Sequence, residues 1–216
     1  MNIKISAAIF ILLSFFNIGA ISNDKIFAKN SFDSIEKNIR NISEFDENGA
    51  KLQYKTKDNM EIENDRIRGY LIRNVRGEYK EIPKSQFEIT NKDLDISLKL
   101  WCEDQYTYVE ISIINKNSQY TVKDLKDILQ KLENQKSENA QYFLYYEGKG
   151  ITLENNDFMY KFINKNDIEH AQLLEISNGY TGTGYLENGD KINFALSKYN
   201  TGSHIVIGTP IIFATY

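Results

Sequence analysis

Two neighbouring segments alternate strictly between apolar and polar residues, and this pattern constrains the fold more than any other feature. In LDISLKLW (94–101) the apolar residues occupy positions 94, 96, 98 and 100, and in YTYVEISII (106–114) they occupy positions 109, 111 and 113. Successive side chains of a strand point to opposite faces of a sheet, so a period of two is typical of strands with one buried face. Because only residues 102–105 separate the two runs, we predict a β-hairpin.

Apolar residues spaced three and four apart predict amphipathic helices elsewhere in the chain. The first stripe comprises Phe32, Ile35, Ile39 and Ile42. The second stripe comprises Val122, Leu125, Ile128, Leu129 and Leu132. Gly49 is the expected C-terminal stop of the first helix, while Thr121 and Asp124 form a capping box for the second. Shorter helices are predicted within 65–77 and 155–164.

Further strands are predicted from short β-branched or alternating runs. They cover residues 51–57, 87–90, 141–147, 169–177, 191–199 and 204–216. The last of these is interrupted at Gly208 and Pro210, where a bulge or an edge position is expected. ENGD (187–190) predicts a type I′ hairpin turn, and the glycine-rich YTGTGY (180–185) is interpreted as a surface loop.

The predicted elements occur in the same order twice: helix, strand, short helix and three strands. The two series divide the mature chain into halves, 23–118 and 119–216, although no repeat is visible residue by residue. Two such halves can pool their strands. We therefore expect an α+β fold in which both halves share one curved antiparallel sheet, with the long helices packed on one face.

The beginning of the chain has the pattern of a secretory signal peptide. Lys4 supplies a positive charge, residues 5–21 are almost entirely apolar, and Ala20-Ile21-Ser22 offers a small-x-small cleavage site. We therefore expect removal of residues 1–22, export from the cytoplasm, and no membrane span in the mature protein. An uncleaved N-terminal anchor is the alternative, although the apolar run is shorter than the roughly 20 residues of a spanning helix.

Charge and cysteine content argue against two classes of protein. Loss of Lys4 leaves 25 basic and 30 acidic residues, a net charge of −5. Proteins that bind nucleic acid normally carry a basic excess, so no nucleic acid is expected as a partner. Cys102 is the only cysteine, so no intramolecular disulfide can form and the fold must depend on a buried apolar core.

Three segments carry a resemblance to a known family. They are VEISIINKN, YYEGKG (145–150) and the final block 178–216, with its Gly-Tyr-Thr-Gly turn and its closing Gly-Thr-Pro-Ile-Ile before a terminal Tyr. On these segments the chain resembles the YwmB-like proteins, a family of unknown function whose fold is similar to that of the TATA-box-binding protein. The resemblance implies an exported protein with two TATA-binding-like halves, and it implies no catalytic residues.

The residues that could carry catalysis or bind a metal are few. Cys102 with His170 or His204 could pair a nucleophile with a base, but the acidic residues that follow the cysteine disfavour a thiolate. Glu169, His170 and His204 lack the three or four locally spaced ligands of a typical zinc site. We therefore expect no catalytic residue, no cofactor and no metal.

A binding surface is the stronger candidate. If the apolar positions of the hairpin face the helices, the opposite sheet face carries aromatic residues with polar tips, which suit binding of sugars, peptides or another protein. The candidate residues on that face are Lys99, Trp101, Tyr106, Tyr108 and Tyr199. Aromatic pairing that merely stabilises the hairpin is the alternative.

These observations favour a non-enzymatic binding or scaffold protein of the cell envelope, which acts through its sheet face on an envelope component or a protein partner. The alternative is a hydrolase of envelope polymers that uses paired carboxylates such as Glu103 with Asp104 or Glu110. Whether the protein is an enzyme is left open by the sequence, although a non-enzyme is the favoured interpretation.

Overall fold

The computed structural model describes residues 31–82, 86–151, 157–200 and 202–214, which form four helices and ten strands. The order helix, strand, helix and four strands occurs twice. The first series is α1 (Phe32–Arg40), β1 (Glu44–Thr56), α2 (Met60–Asn74), β2 (Glu78–Ile82), β3 (Gln86–Thr90), β4 (Leu94–Glu103) and β5 (Tyr106–Asn115). The second series is α3 (Val122–Gln130), β6 (Glu138–Lys149), α4 (Phe158–Lys165), β7 (Glu169–Ile176), β8 (Gly179–Tyr185), β9 (Lys191–Tyr199) and β10 (Gly202–Thr209).

The ten strands form one sheet in the order β2-β3-β4-β5-β1-β6-β10-β9-β8-β7. Every neighbouring pair is antiparallel, and the sheet stays open, with β2 and β7 at its edges. At its centre β1 pairs with β6, so that Ala50 lies opposite Leu144. The predicted α+β class and antiparallel sheet are therefore confirmed.

Alternate positions of the strands contribute to the apolar core, as the period of two predicts. Leu98 of β4 lies opposite Ile111 of β5, and both side chains are buried. These residues belong to the same core cluster as Ile35 of α1, Leu71 of α2 and Leu125 of α3. We call the sheet face that carries these strand positions the core face, and the opposite one the outer face.

The turns of two hairpins have different backbone conformations. Asp104 and Gln105 connect β4 to β5 with φ angles of 47° and 68°, as a two-residue type I′ turn requires. This confirms the predicted hairpin. Between β8 and β9 the turn is also present, but of its residues only Gly189 has a positive φ, 82°. The type I′ assignment of ENGD was therefore wrong.

The start of α3 is fixed by the predicted capping box. The Thr121 side chain accepts a hydrogen bond from the Asp124 amide, and the Asp124 carboxylate accepts one from the Thr121 amide. The buried Glu36 carboxylate of α1 accepts a further hydrogen bond, 3.0 Å long, from the Val122 amide. One buried acid of α1 thus satisfies an otherwise unpaired amide in the first turn of α3.

Gly49 does not end a helix, contrary to the prediction. The helix ends at Arg40, and Gly49 lies inside β1, which begins at Glu44. A Cβ added to Gly49 would lie 2.6 Å from the Tyr145 ring, so the glycine makes room for an aromatic side chain of the neighbouring strand. Long-range packing explains this residue, and no local pattern could reveal it.

Two strands were missed, one in each series. Residues 78–82 form β2, and the glycine-rich segment interpreted as a loop forms β8. Gly182 lies under the ring of Phe194, and Gly184 lies against the side chain of Ile168; an added Cβ would come within 2.4 Å of either side chain. Glycine therefore serves close packing in β8 rather than loop flexibility.

The predicted final strand is shorter than expected. β10 ends at Thr209, and residues 210–214 leave the sheet ladder. The predicted signal peptide, residues 1–22, lies outside the described residues. Within the described ranges, no helix has the length and apolar character needed to cross a membrane.

Candidate functional site

The outer face of β4 and β5 carries an aromatic stack. Trp101 lies directly opposite Tyr108 in the strand register. Their rings are stacked with centroids 5.4 Å apart and planes 11° apart. The Lys99 ammonium lies 5.6 Å from the Trp101 ring centroid. All three side chains are partly exposed, so the stack presents both apolar area and a positive charge to solvent.

Tyr106 extends this group at the hairpin end. The ammonium of Lys55 lies 4.1 Å from the Tyr106 ring centroid, and that of Lys57 lies 5.8 Å away. Cations within about 6 Å of an aromatic face are attracted by the ring quadrupole. Four of the five predicted face residues are therefore on neighbouring strands β4 and β5. We call them the aromatic patch: Lys99, Trp101, Tyr106 and Tyr108.

A polar group on the outer face of β1 and β5 lies next to the aromatic patch. Gln53 donates a hydrogen bond to Glu110, and the Lys51 ammonium lies 3.8 Å from the Glu110 carboxylate. Burial lowers the pKa of Lys51, and the Glu110 charge opposes this shift. The same ammonium lies 4.5 Å from the Phe143 ring centroid. At the centre of the sheet, the side chains of the outer face therefore pack against one another and are largely shielded from solvent.

The segment 210–214 covers that centre, and we call it the strap. The Pro210 carbonyl accepts a hydrogen bond from Asn193 of β9. Ile212 packs on Gly208 of β10, where an added Cβ would meet Ile212 at 2.8 Å. The Phe213 ring lies edge-on to Tyr145 of β6 and 5.3 Å from the Lys51 ammonium of β1. The strap thus crosses four adjacent strands.

Tyr199 lies apart from the aromatic patch. It belongs to β9, and three strands, β1, β6 and β10, separate β9 from β5. The Tyr199 side chain is 41% exposed and its ring lies edge-on to His204, with centroids 5.3 Å apart. The expected binding face therefore consists of two separate regions, and the strap crosses the sheet strands between them.

His204 belongs to a charged cluster that the sequence did not predict. Its Nδ1 lies 2.7 Å from Glu147 Oε1 and 3.9 Å from Asp46 Oδ2. Asp46 sits at a β-bulge, between Phe45 and Glu47 in the β1–β6 register, and its other oxygen accepts a hydrogen bond from Lys149. Burial raises the pKa of Glu147, and the hydrogen bond with His204 opposes that shift.

No local signal could have identified this cluster. Asp46, Glu147 and His204 lie on β1, β6 and β10, which are adjacent in the sheet but distant in the sequence. Their proximity depends on the strand order and on the bulge at Asp46. A bulge changes the direction in which a side chain points, relative to the regular alternation of a strand. Neither feature can be read from residue spacing.

The other groups considered from the sequence are dispersed. Six strands separate Cys102 on β4 from His170 on β7, and three separate it from His204. Two strands separate His170 from His204, so the two histidines that were considered as partners in a zinc site are also apart. Glu103 and Asp104 are exposed at the β4–β5 turn, whereas Glu110 is paired with Gln53 and Lys51.

Comparison with known proteins gives no relationship on which to assign a family: no family model matches the chain, and no curated protein matches it.

Proposed function

We propose that this chain is an exported protein of the cell envelope that binds an envelope component through the outer face of its sheet, without catalysing a reaction. The observation that carries the proposal is the aromatic patch, in which the partly exposed rings of Trp101 and Tyr108 stack beside Lys99. The signal-peptide pattern of residues 1–22 supports the location.

The chemistry of the patch favours a ligand with flat apolar edges and negative or polar groups. A stacked indole and phenol offer wide, rigid area with little conformational entropy to lose, and their polar tips can exchange hydrogen bonds. Lys99, Lys55 and Lys57 add positive charge around the rings. A sugar polymer with anionic substituents matches this combination, because sugar rings have apolar faces and hydroxyl edges.

The proposal includes a fold of two TATA-binding-like halves, with the helices on one face of the sheet, and membership of the YwmB-like family. Its support is the strand order. Both halves place their strands in the same order outward from the central pair. On one side β1 is followed by β5-β4-β3-β2, and on the other β6 is followed by β10-β9-β8-β7. Buried side chains of all four described helices also belong to one core cluster with the inward strand positions.

Retention on envelope material tests the proposal. The purified protein is incubated with fractionated cell envelope, and the bound amount is compared with that of the double variant Trp101→Ala/Tyr108→Ala. Tyr160→Ala is the matched control, because Tyr160 is an exposed aromatic residue of α4, 59% exposed and outside the patch. We expect retention of the wild type and the control, and loss of retention in the double variant.

Two results would count against the proposal. The first is a wild-type protein that no envelope fraction retains. The second is a double variant that is retained as well as the wild type while its unfolding transition shows that it is folded. Neither Trp101 nor Tyr108 belongs to the core cluster, so we expect the variant to fold.

A further inference from the structure

We propose that Asp46, Glu147 and His204 form a binding site for a divalent transition-metal ion of the Zn²⁺ class. The site is distinct from the aromatic patch and does not depend on the proposed function. It lies where β1, β6 and β10 run side by side, and it offers one imidazole nitrogen and two carboxylates.

The donor atoms are already close to ligating positions. The three atoms lie within 4.8 Å of one another, and the two distances from His204 Nδ1 are 2.7 Å and 3.9 Å. Ligands at the usual ~2.0–2.2 Å from a tetrahedral Zn²⁺ are about 3.4 Å from each other. The observed distances lie on both sides of that value, so ion binding would require small adjustments of the side chains.

The surroundings hold the donors in place. Glu147 is only 6% exposed, and the Tyr199 ring abuts the His204 ring. The three donors are on sheet strands, which position side chains more rigidly than loops do. Lys149 bonds Asp46 through Oδ1, whereas Oδ2 is the oxygen nearer to His204. The hydrogen bond from Lys149 therefore does not use Asp46 Oδ2, the oxygen that would ligate the ion.

The chemical types of the three donor atoms determine which ion the site would prefer. One imidazole with two carboxylates suits Zn²⁺ and similar borderline ions, whereas Ca²⁺ and Mg²⁺ prefer oxygen ligands alone. Three protein ligands leave a fourth position for water or for an exogenous group, as in open zinc sites.

The competing explanation is a cluster without metal, in which His204 and Lys149 bind the two acids directly. The two explanations differ in a measurable way. Titration of the purified protein with Zn²⁺ in a calorimeter should give saturable binding of one ion per chain. Titration with Co²⁺ should give visible absorption bands of a low-symmetry, four- or five-coordinate ion.

His170 provides the matched control, because it is the only other histidine in the chain. It lies on β7, with two strands between β7 and β10. We expect His170→Gln to bind Zn²⁺ like the wild type, and His204→Gln to bind it at least about tenfold more weakly, as loss of a ligand or of its support does. Glu147→Gln should show the same loss, so that failure of one variant to fold does not decide the question.

The proposal is overturned if the wild type shows no saturable Zn²⁺ binding. It is also overturned if His204→Gln binds as tightly as the wild type, or if His170→Gln removes the binding. Each variant's circular dichroism and thermal unfolding without metal confirm that a loss of binding is not a loss of fold.

Discussion

Phe213 packs edge-on against Tyr145, with ring centroids 5.3 Å apart and planes at 81°. This contact fixes the strap on the outer face of the sheet, where Phe143 and Tyr145 are buried although they do not belong to the core cluster of the other face. The strap therefore provides apolar cover for the centre of the outer face.

Replacement of Phe213 by Ala should destabilise the protein by about 2 kcal/mol. Full burial of a Phe side chain makes the cost of truncation roughly 3–5 kcal/mol, and Phe213 is only partly buried. Urea unfolding measures the change, with Tyr160→Ala as the control for loss of an exposed aromatic side chain. Equal stability of Phe213→Ala and the wild type would show that the strap contributes no packing energy.

Glu36 connects α1 to the start of α3, and its removal should be costly. The buried carboxylate accepts hydrogen bonds from Arg40, Asn48 and the Val122 amide. Glu36→Ala leaves the Val122 amide without an acceptor and removes one acceptor from each of Arg40 and Asn48. We therefore expect a loss of about 3 kcal/mol or more. Glu36→Gln keeps one acceptor oxygen and should cost less. Chemical denaturation checks this order, and equal losses in both variants would contradict it.

The same residue predicts a pH dependence of stability. Burial raises the pKa of Glu36 above its ordinary value of 4.5, and the hydrogen bond from Arg40 opposes the shift. A raised native pKa contributes stability that is fully present below the unfolded value and is lost as the pH rises through the native value.

The Gln side chain of the Glu36→Gln variant does not ionise in this pH range. The free energy of unfolding of the wild type, minus that of the variant, should therefore decrease as the pH rises from about 4 to about 7. Denaturation curves of both proteins across this range provide the comparison, in which titrations common to both cancel. A difference that stays constant or increases would show that the native pKa is not raised.

Substitution of two glycines by Ala should change the stability of the protein in opposite directions. A Cβ at Gly49 would lie 2.6 Å from the Tyr145 ring and 2.9 Å from the Ile113 carbonyl oxygen, whereas at Gly69 of α2 the nearest atom is 3.5 Å away on the flexible Arg73 side chain. We expect Gly49→Ala to destabilise by about 1–3 kcal/mol through overpacking. Gly69→Ala should stabilise by roughly 0.5–1 kcal/mol, because Ala favours a helix. Thermal unfolding of the pair measures both signs, and a neutral Gly49→Ala would mean that the sheet relaxes around the added methyl.

The sequence predicted those elements whose signals are local. The period of two in 94–101 and 106–114 identified a hairpin with one buried face, and the Thr121–Asp124 spacing identified a helix start. The start of β1, the glycine-rich β8 and the course of the strap could not be predicted. In each of them a glycine makes room for a packing partner: Gly49 and Gly182 make room for Tyr145 and Phe194 of neighbouring strands. Gly208 makes room for Ile212 of the strap.

The same distinction applies to the candidate sites. The aromatic patch could be predicted, because strand alternation alone places Trp101 and Tyr108 on the face opposite the core. The separate position of Tyr199 could not, because it depends on the strand order between β5 and β9. Assembly of Asp46, Glu147 and His204 depends on the strand order and on the bulge at Asp46.

The central claim is that ligand binding takes place at the aromatic patch, and Trp101 can report on it because it is the only tryptophan in the chain. The direct measurement is Trp101 fluorescence during titration with the envelope fraction that retains the protein. We predict a saturable change in emission and weaker quenching by acrylamide, because a bound ligand would shield the indole. A fraction that binds the protein while both signals stay unchanged would contradict the account and place the binding surface elsewhere.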